Sequence, residues 1–196
     1  MKLLFLGTGA AEGVPAAYCR CDACEGVRKR GGIEIKTRAS LRVDKNYQLD
    51  ISPDHYWQML RHGTDMFDVE HLLITHSHED HLSIPAISDK TMSRVTNEKP
   101  INIYLSKPAA DFALNLARSV LFNNAKLDKL LERFIIKSLN YYEEYQIGDY
   151  KAETVKGRHK TTVEGEASIN YLLTSNDGVR LLYALDTGYY DDETWE

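Results

Sequence analysis

Thr75-His76-Ser77-His78-Glu79-Asp80-His81 is the stretch that decides how the rest of this chain is to be read. It closes the apolar run Glu70–Thr75, which reads as a strand, so the histidines stand at a strand's C-terminal end, where sites in α/β proteins tend to lie. His76 and His78 are two apart, and in an extended segment both imidazoles leave the backbone on the same side. A turn after them brings Asp80 and His81 to face a second position nearby. Three imidazoles and a carboxylate within six residues suit a divalent Zn, Mn or Fe ion. Only 7 of the 196 residues are histidine, so a polar loop that carries three by chance is a poor alternative.

The flanking sequence sets this segment in a mixed α/β framework. Leu3-Leu4-Phe5-Leu6 is apolar on both faces and reads as a buried strand. Arg38–Asp50 reads as a hairpin turning at Asp44-Lys45-Asn46. Ser52 as N-cap and Pro53 at the first position open a helix with Tyr56, Met59 and Leu60 on its apolar face and Gly63 at its end. A strand at Ile101–Leu105 precedes a helix striped by Phe112, Leu116 and Val120, and a second short stripe runs through Leu127, Leu130, Leu131 and Phe134. Strands follow at Phe134–Leu139, Tyr150–Val155, Ile169–Thr174 and Val179–Leu185, the last two joined by Ser175-Asn176-Asp177-Gly178. Hairpins together with helices predict a layered α/β fold rather than a purely parallel sheet.

Composition narrows the function classes. Apolar residues make up 43% and charged residues 27%, ordinary globular usage that excludes a disordered or low-complexity chain. No apolar run approaches the ~20 residues of a membrane span, and Gly7, Gly9 and Glu12 break the short apolar start, so no secretory leader is read and a cytoplasmic location is expected. A net charge of −5 argues against non-specific binding to nucleic acid or an anionic membrane. All 3 cysteines, Cys19, Cys21 and Cys24, lie within six residues, which fits a thiolate metal site better than a disulfide framework. Gly7-Thr8-Gly9 with Gly13 departs from the dinucleotide-binding spacing.

His76-x-His78-x-Asp80-His81 resembles the defining motif of the metallo-β-lactamase-fold hydrolases, and Phe5-Leu6-Gly7-Thr8-Gly9 resembles that superfamily's first strand and turn. Cys19-x-Cys21-x-x-Cys24 after Gly13-Val14-Pro15 is similar to the PhnP branch, the phosphoribosyl cyclic phosphate phosphodiesterases. The resemblance covers Lys2 to Gly188 and implies an αββα sandwich, one domain over residues 1–196, with two divalent ions, Mn or Zn, in its active site. It implies His76, His78 and His159 on one ion, Asp80 and His81 on the other, and Asp186 between them. Asp50 matches the first-motif aspartate, which orients a ligand or water from behind. Asp80 and Asp50 are thereby the expected catalytic carboxylates, and a hydroxide shared by the two ions is the expected nucleophile. His159 stands in Gly157-Arg158-His159-Lys160 and Asp186 in Leu185-Asp186-Thr187-Gly188, each after a strand. His55, His62 and His71 match no motif and read as helix-face or surface histidines.

The resemblance also implies a structural zinc on Cys19, Cys21 and Cys24, with a histidine near the C-terminus as fourth ligand. Glu196 lies ten residues past Asp186, and no histidine follows His159. The expectation is therefore a chain whose C-terminal part is missing, with Asp191–Glu196 as an interrupted helix, and self-association, as a homodimer, through exposed strand edges. The expected substrate is a small phosphorylated molecule, a cyclic phosphodiester of a sugar phosphate. The alternatives are RNA or thioester hydrolysis on the same fold, and a non-catalytic metal-binding protein. Lys156, Arg158 and Lys160 flank His159 and read first as a solvated basic strand end.

Overall fold

The computed structural model describes residues 1–95, 97–121 and 124–195. Its elements begin with β1 (Leu3–Gly7), α1 (Asp22–Arg30), β2 (Ser40–Val43), β3 (Tyr47–Leu49), α2 (His55–His62) and β4 (His71–Leu73). Then come α3 (Ile84–Met92), β5 (Ile101–Ser106), α4 (Lys107–Leu121), α5 (Asn124–Arg133) and β6 (Phe134–Leu139). The last strands are β7 (Glu144–Ile147), β8 (Tyr150–Lys156), β9 (Ile169–Ser175) and β10 (Arg180–Tyr183). They form a six-stranded sheet in the order β1-β2-β3-β4-β5-β6 and a four-stranded sheet in the order β10-β9-β8-β7. The first three strands pair antiparallel and the run from β3 to β6 is parallel. The second sheet is antiparallel throughout. This is the expected mixture of hairpins and crossovers.

Alternation along the central strands explains why they are apolar on both faces. Leu72, Ile74, Ile103 and Leu105 pack against the helical layer, with Ala109, Ala110, Ala113, Ala117 and Leu130. Leu73, Tyr104, Leu41, Val43 and Leu49 face the second sheet and meet Ile147, Ala152, Ile169, Tyr171 and Leu173. Each residue's neighbour in sequence lies on the other side of the sheet, as the period of two demands. The order is therefore helices, six-stranded sheet, four-stranded sheet.

Several expectations require correction. The opening strand is an edge, not a buried strand: Leu3 is 40% and Phe5 57% exposed, and only Leu6 is buried. Among the described residues β1 pairs with β2 alone, as the first strand of the sheet. Ser52 does not cap α2. Its hydroxyl accepts from Asp54 N and its carbonyl from His55 N, a turn that delays the helix to His55. The α2 face is also rotated, with Tyr56 and Leu60 outward and His55, Gln58 and Met59 inward. The Gln58 amide donates to Arg38 O at 2.8 Å and Thr37 Oγ1 at 3.2 Å, and these sheet-edge acceptors fix the inward face. In α4 the buried stripe is alanine rather than Phe112 and Val120, which lets the helix lie close on the sheet. The helices α1 and α3 and the strand β7 are additional to the expected elements. Among the described residues, Asp192–Thr194 forms a single 3-10 turn. No helix among them is long and apolar enough to cross a membrane.

Candidate metal centre

Four strand ends converge on one rim of the sandwich. β3 delivers Asp50, β4 delivers Thr75 to His81, β8 delivers His159, and β10 delivers Asp186. The two sheets are pinned together there. Ile169 N donates to Thr75 O at 2.7 Å, and the buried Tyr171 hydroxyl lies 2.8 Å from Ile74 O and 3.2 Å from Tyr104 O.

After His78 the backbone coils: His81 N and Leu82 N both donate to His78 O, at 3.0 and 2.8 Å. The chain then runs beside Ile51, with Ile51 N donating to His81 O at 3.0 Å and Ser83 N to Ile51 O at 2.9 Å. That return path sets His81 against Asp50. Ser83 goes on to cap α3 by accepting from Ala86 N. On the second sheet, Gly157 N donates to Ser168 O at 2.8 Å, and a Cβ at Gly157 would fall 2.2 Å from Ser168 Oγ, so a side chain there would force the Ser168 hydroxyl to move. Arg158 N donates to Thr187 Oγ1 at 3.0 Å and Gly188 N to Arg158 O at 2.9 Å, which zips the His159 and Asp186 segments together.

His76 Nε2 lies 3.0 Å from His78 Nδ1, and His159 Nε2 lies 3.2 Å from the same atom. Asp186 Oδ2 stands 3.8 Å from His76 Nε2 and 3.7 Å from His159 Nε2. A tetrahedral zinc with bonds of ~2.05 Å requires donor atoms ~3.3 Å apart, so the spacing of this set matches a single ion. His76 is fully buried and neutral: burial, then the neighbouring imidazoles His81, His78 and His159, push its pKa down to about 3. Its ring is thus an available lone-pair donor at neutral pH.

Asp80, His81 and Asp186 form a second group that shares Asp186 with the first. His81 Nε2 lies 3.1 Å from Asp80 Oδ2 and 3.4 Å from Asp186 Oδ2, and its Nδ1 lies 2.8 Å from Asp50 Oδ2. Burial opposes a charge on His81, but the surrounding carboxylates Asp50, Asp186 and Asp80 outweigh it and raise its pKa to about 12. The hydrogen bond from His81 in turn holds Asp186 down to about 2. Three carboxylates gathered around one cationic ring form a site built for positive charge, which a divalent ion can supply.

Asp50 is fully buried and accepts from Thr75 N at 2.8 Å, Thr75 Oγ1 at 3.0 Å and Tyr183 OH at 3.3 Å, besides its contact with His81. Thr75 Oγ1 also lies 3.0 Å from His76 Nδ1, so Asp50 reaches both groups from behind. Asp50 and Asp186 both adopt left-handed backbone, with φ of 58° and 47°, a conformation that aspartate tolerates better than most residues. Sequence reasoning singled out neither Thr75 nor Tyr183 as a supporting residue.

The structure also brings Cys19, Cys21 and Cys24 together, their sulfurs within 4.8 Å of one another. Cys21 is the residue before α1 and Cys24 lies in its first turn. Hydrogen bonding from the Cys24 backbone N–H lowers the Cys21 thiol pKa. The remaining histidines join neither set. His55 is buried beside Asp89, His62 Nε2 meets Leu6 O at 3.1 Å, and His71 Nδ1 meets Tyr104 OH at 3.1 Å. Arg158 turns to Asp191 at 3.2 Å, so its charge is partly engaged.

No family model matches the chain. A stretch of 86 residues, 42% of this chain, is 36% identical to an octanoyltransferase from Porphyromonas gingivalis, of which the match spans 16%. Zn2+-bound PqqB from Methylobacterium extorquens aligns with a TM-score of 0.69 and 18% identity over 98% of this chain and 67% of its own. A diphosphatase from the PhnP family aligns with a TM-score of 0.64 and 20% identity, over 88% of this chain and 61% of its own. A metallo-β-lactamase-fold protein from Bacillus subtilis aligns with a TM-score of 0.62 and 11% identity, over 96% of this chain and 63% of its own. The fold of this chain is therefore the metallo-β-lactamase fold, and the chain spans 61–67% of the length of these solved relatives.

Proposed function

We propose that this chain is a metal-dependent hydrolase that opens a cyclic phosphodiester of a sugar phosphate. The observation that carries the reading is the convergence of His76, His78, His159 and Asp186 at the spacing of one ion, with Asp80 and His81 completing a second set through the same Asp186. In this reading His76, His78 and His159 hold one ion, Asp80 and His81 the other, and Asp186 serves both. Two divalent cations there would lower the pKa of water and neutralise charge developing on a phosphoryl group.

The chain's own residues supply the rest. Asp50 orients the His81 ring and, through Thr75 Oγ1, the His76 ring. The buried rim formed by Thr75, Ser77 and Ser168 keeps bulk water from behind the ligands. The net charge of −5 speaks against a polyanionic nucleic acid. The likeness to a PhnP-family diphosphatase and the cysteine cluster support phosphoester rather than thioester chemistry.

The test is hydrolysis of a ribose cyclic phosphodiester and of bis(4-nitrophenyl) phosphate with added Zn or Mn. Turnover that chelation removes, and that His78→Ala and Asp80→Ala reduce to background, supports the proposal. Metal-saturated protein without turnover on either substrate overturns it.

A further inference from the structure

Ser77 stands between His76 and His78 and, by the same alternation that places their rings together, points the opposite way. It is 5% exposed, and both of its donors go to one side chain. Ser77 N donates to Glu166 Oε1 at 2.8 Å and Ser77 Oγ to Glu166 Oε2 at 2.5 Å. Glu166 lies at the other end of the loop that carries His159. That loop folds on itself, with Glu166 N donating to Val163 O at 3.2 Å and Thr161 Oγ1 to Val163 O at 3.2 Å. Immediately after Glu166, Ala167 N donates to Tyr141 OH at 2.9 Å, and Ile169 N reaches Thr75 O. One carboxylate thus joins the loop of His76 and His78 to the loop of His159 across 89 residues of sequence.

We propose that Glu166 is a positioning residue: it clamps these two loops in the arrangement in which His159 meets His76 and His78, so that the three donors are set before an ion arrives. The proposal deepens the metal-centre reading and rests on it for its consequence, although the clamp itself is a feature of the metal-free chain. A carboxylate is needed because two donors arrive at once. A glutamine offers one acceptor oxygen and an NH2 group that would face a donor, and alanine offers neither acceptor. The reach matters as well, since aspartate is one methylene shorter.

The test compares native chain with Glu166→Gln and Glu166→Ala. Without metal, Ser77 amide exchange should accelerate at least tenfold in Glu166→Ala, the Leu72 and Leu73 amides should keep their protection, and the NOEs between the His159 and His78 rings should weaken. Zinc affinity, measured by competition with a chromophoric chelator in chains whose cysteine set is disabled by Cys24→Ser, should fall about 10–100-fold in both variants. If Glu166→Ala fails to fold, Glu166→Gln and Ser77→Ala decide by the same readouts. Unchanged ring NOEs and zinc affinity overturn the proposal, even with faster Ser77 exchange, because Glu166 is then only a loop staple. If the Cys24→Ser chain with Glu166 intact binds no zinc, the metal-centre reading fails, and the ring NOEs alone decide whether Glu166 positions His159.

Discussion

Asp50 Oδ2 lies 2.8 Å from His81 Nδ1, and neither side chain is more than 2% exposed. A buried pair of this kind is costly to half-remove, because the remaining charge stays out of water. Asp50→Asn should lower the stability of the metal-free chain by about 3–5 kcal/mol and weaken zinc binding about 10–100-fold. Thermal unfolding in chelator and a zinc competition titration check the two parts. Native stability in Asp50→Asn would contradict the role given to this contact.

The same cluster sets a pH dependence. His81 is raised to about 12 from an ordinary value of 6.5, so its contribution is complete below pH 6.5 and is lost as pH rises toward 12. Asp186 is lowered to about 2 from 3.8, so its contribution is present above pH 3.8 and is lost as pH falls toward 2. The two shifts share the His81–Asp186 contact, which counts once, while Asp50 and Asp80 raise His81 independently of it. The stability gap between native chain and Asp186→Asn, without metal, should be full above pH 3.8, shrink as pH falls toward 2, and begin to close on the alkaline side only where His81, still held by Asp50 and Asp80, loses its proton. Melting curves from pH 2 to pH 10 measure it, and a gap that persists or widens as pH falls below 3.8 would contradict the assignment.

Tyr171 is fully buried, and its hydroxyl ties two carbonyls of the six-stranded sheet to the four-stranded one. Tyr171→Phe keeps the ring and leaves Ile74 O and Tyr104 O without that donor. A loss of about 1–3 kcal/mol is expected, read as a lower urea midpoint with an unchanged slope. An unchanged midpoint would mean that those carbonyls find other donors.

Much of this was legible in the sequence, for identifiable reasons. The segment from Thr75 to His81 is dense in a scarce residue and follows an apolar strand, so both its chemistry and its place were readable. His159 and Asp186 carry no local pattern of their own, and the family resemblance alone singled them out. Leu3 and Phe5 depart from the expectation because an apolar strand looks alike at an edge and in a centre, and only the pairing partners differ. The α2 face departs from the expectation because Gln58 is held inward by hydrogen bonds to Arg38 and Thr37, which hydrophobic periodicity does not register. Ser77 and Glu166 were not legible as partners, since nothing in a sequence marks two residues 89 apart as one contact.

The cysteine cluster yields a separate expectation. A zinc–thiolate tetrahedron has sulfur spacings of ~3.8 Å, within reach of three sulfurs already inside 4.8 Å. Cys24→Ser should remove one tightly bound zinc per chain and leave the ions of the histidine set in place. Elemental analysis after gel filtration counts them, and equal zinc content in native and Cys24→Ser protein would contradict a thiolate site.

The most direct measurement is anomalous diffraction at the zinc edge from zinc-loaded crystals. The account predicts one peak within bonding distance of His76, His78, His159 and Asp186 and a second beside Asp80 and His81, about 3.5–4 Å away. Absence of any peak at this rim, with the cysteines or crystal contacts taking up the zinc instead, would contradict it.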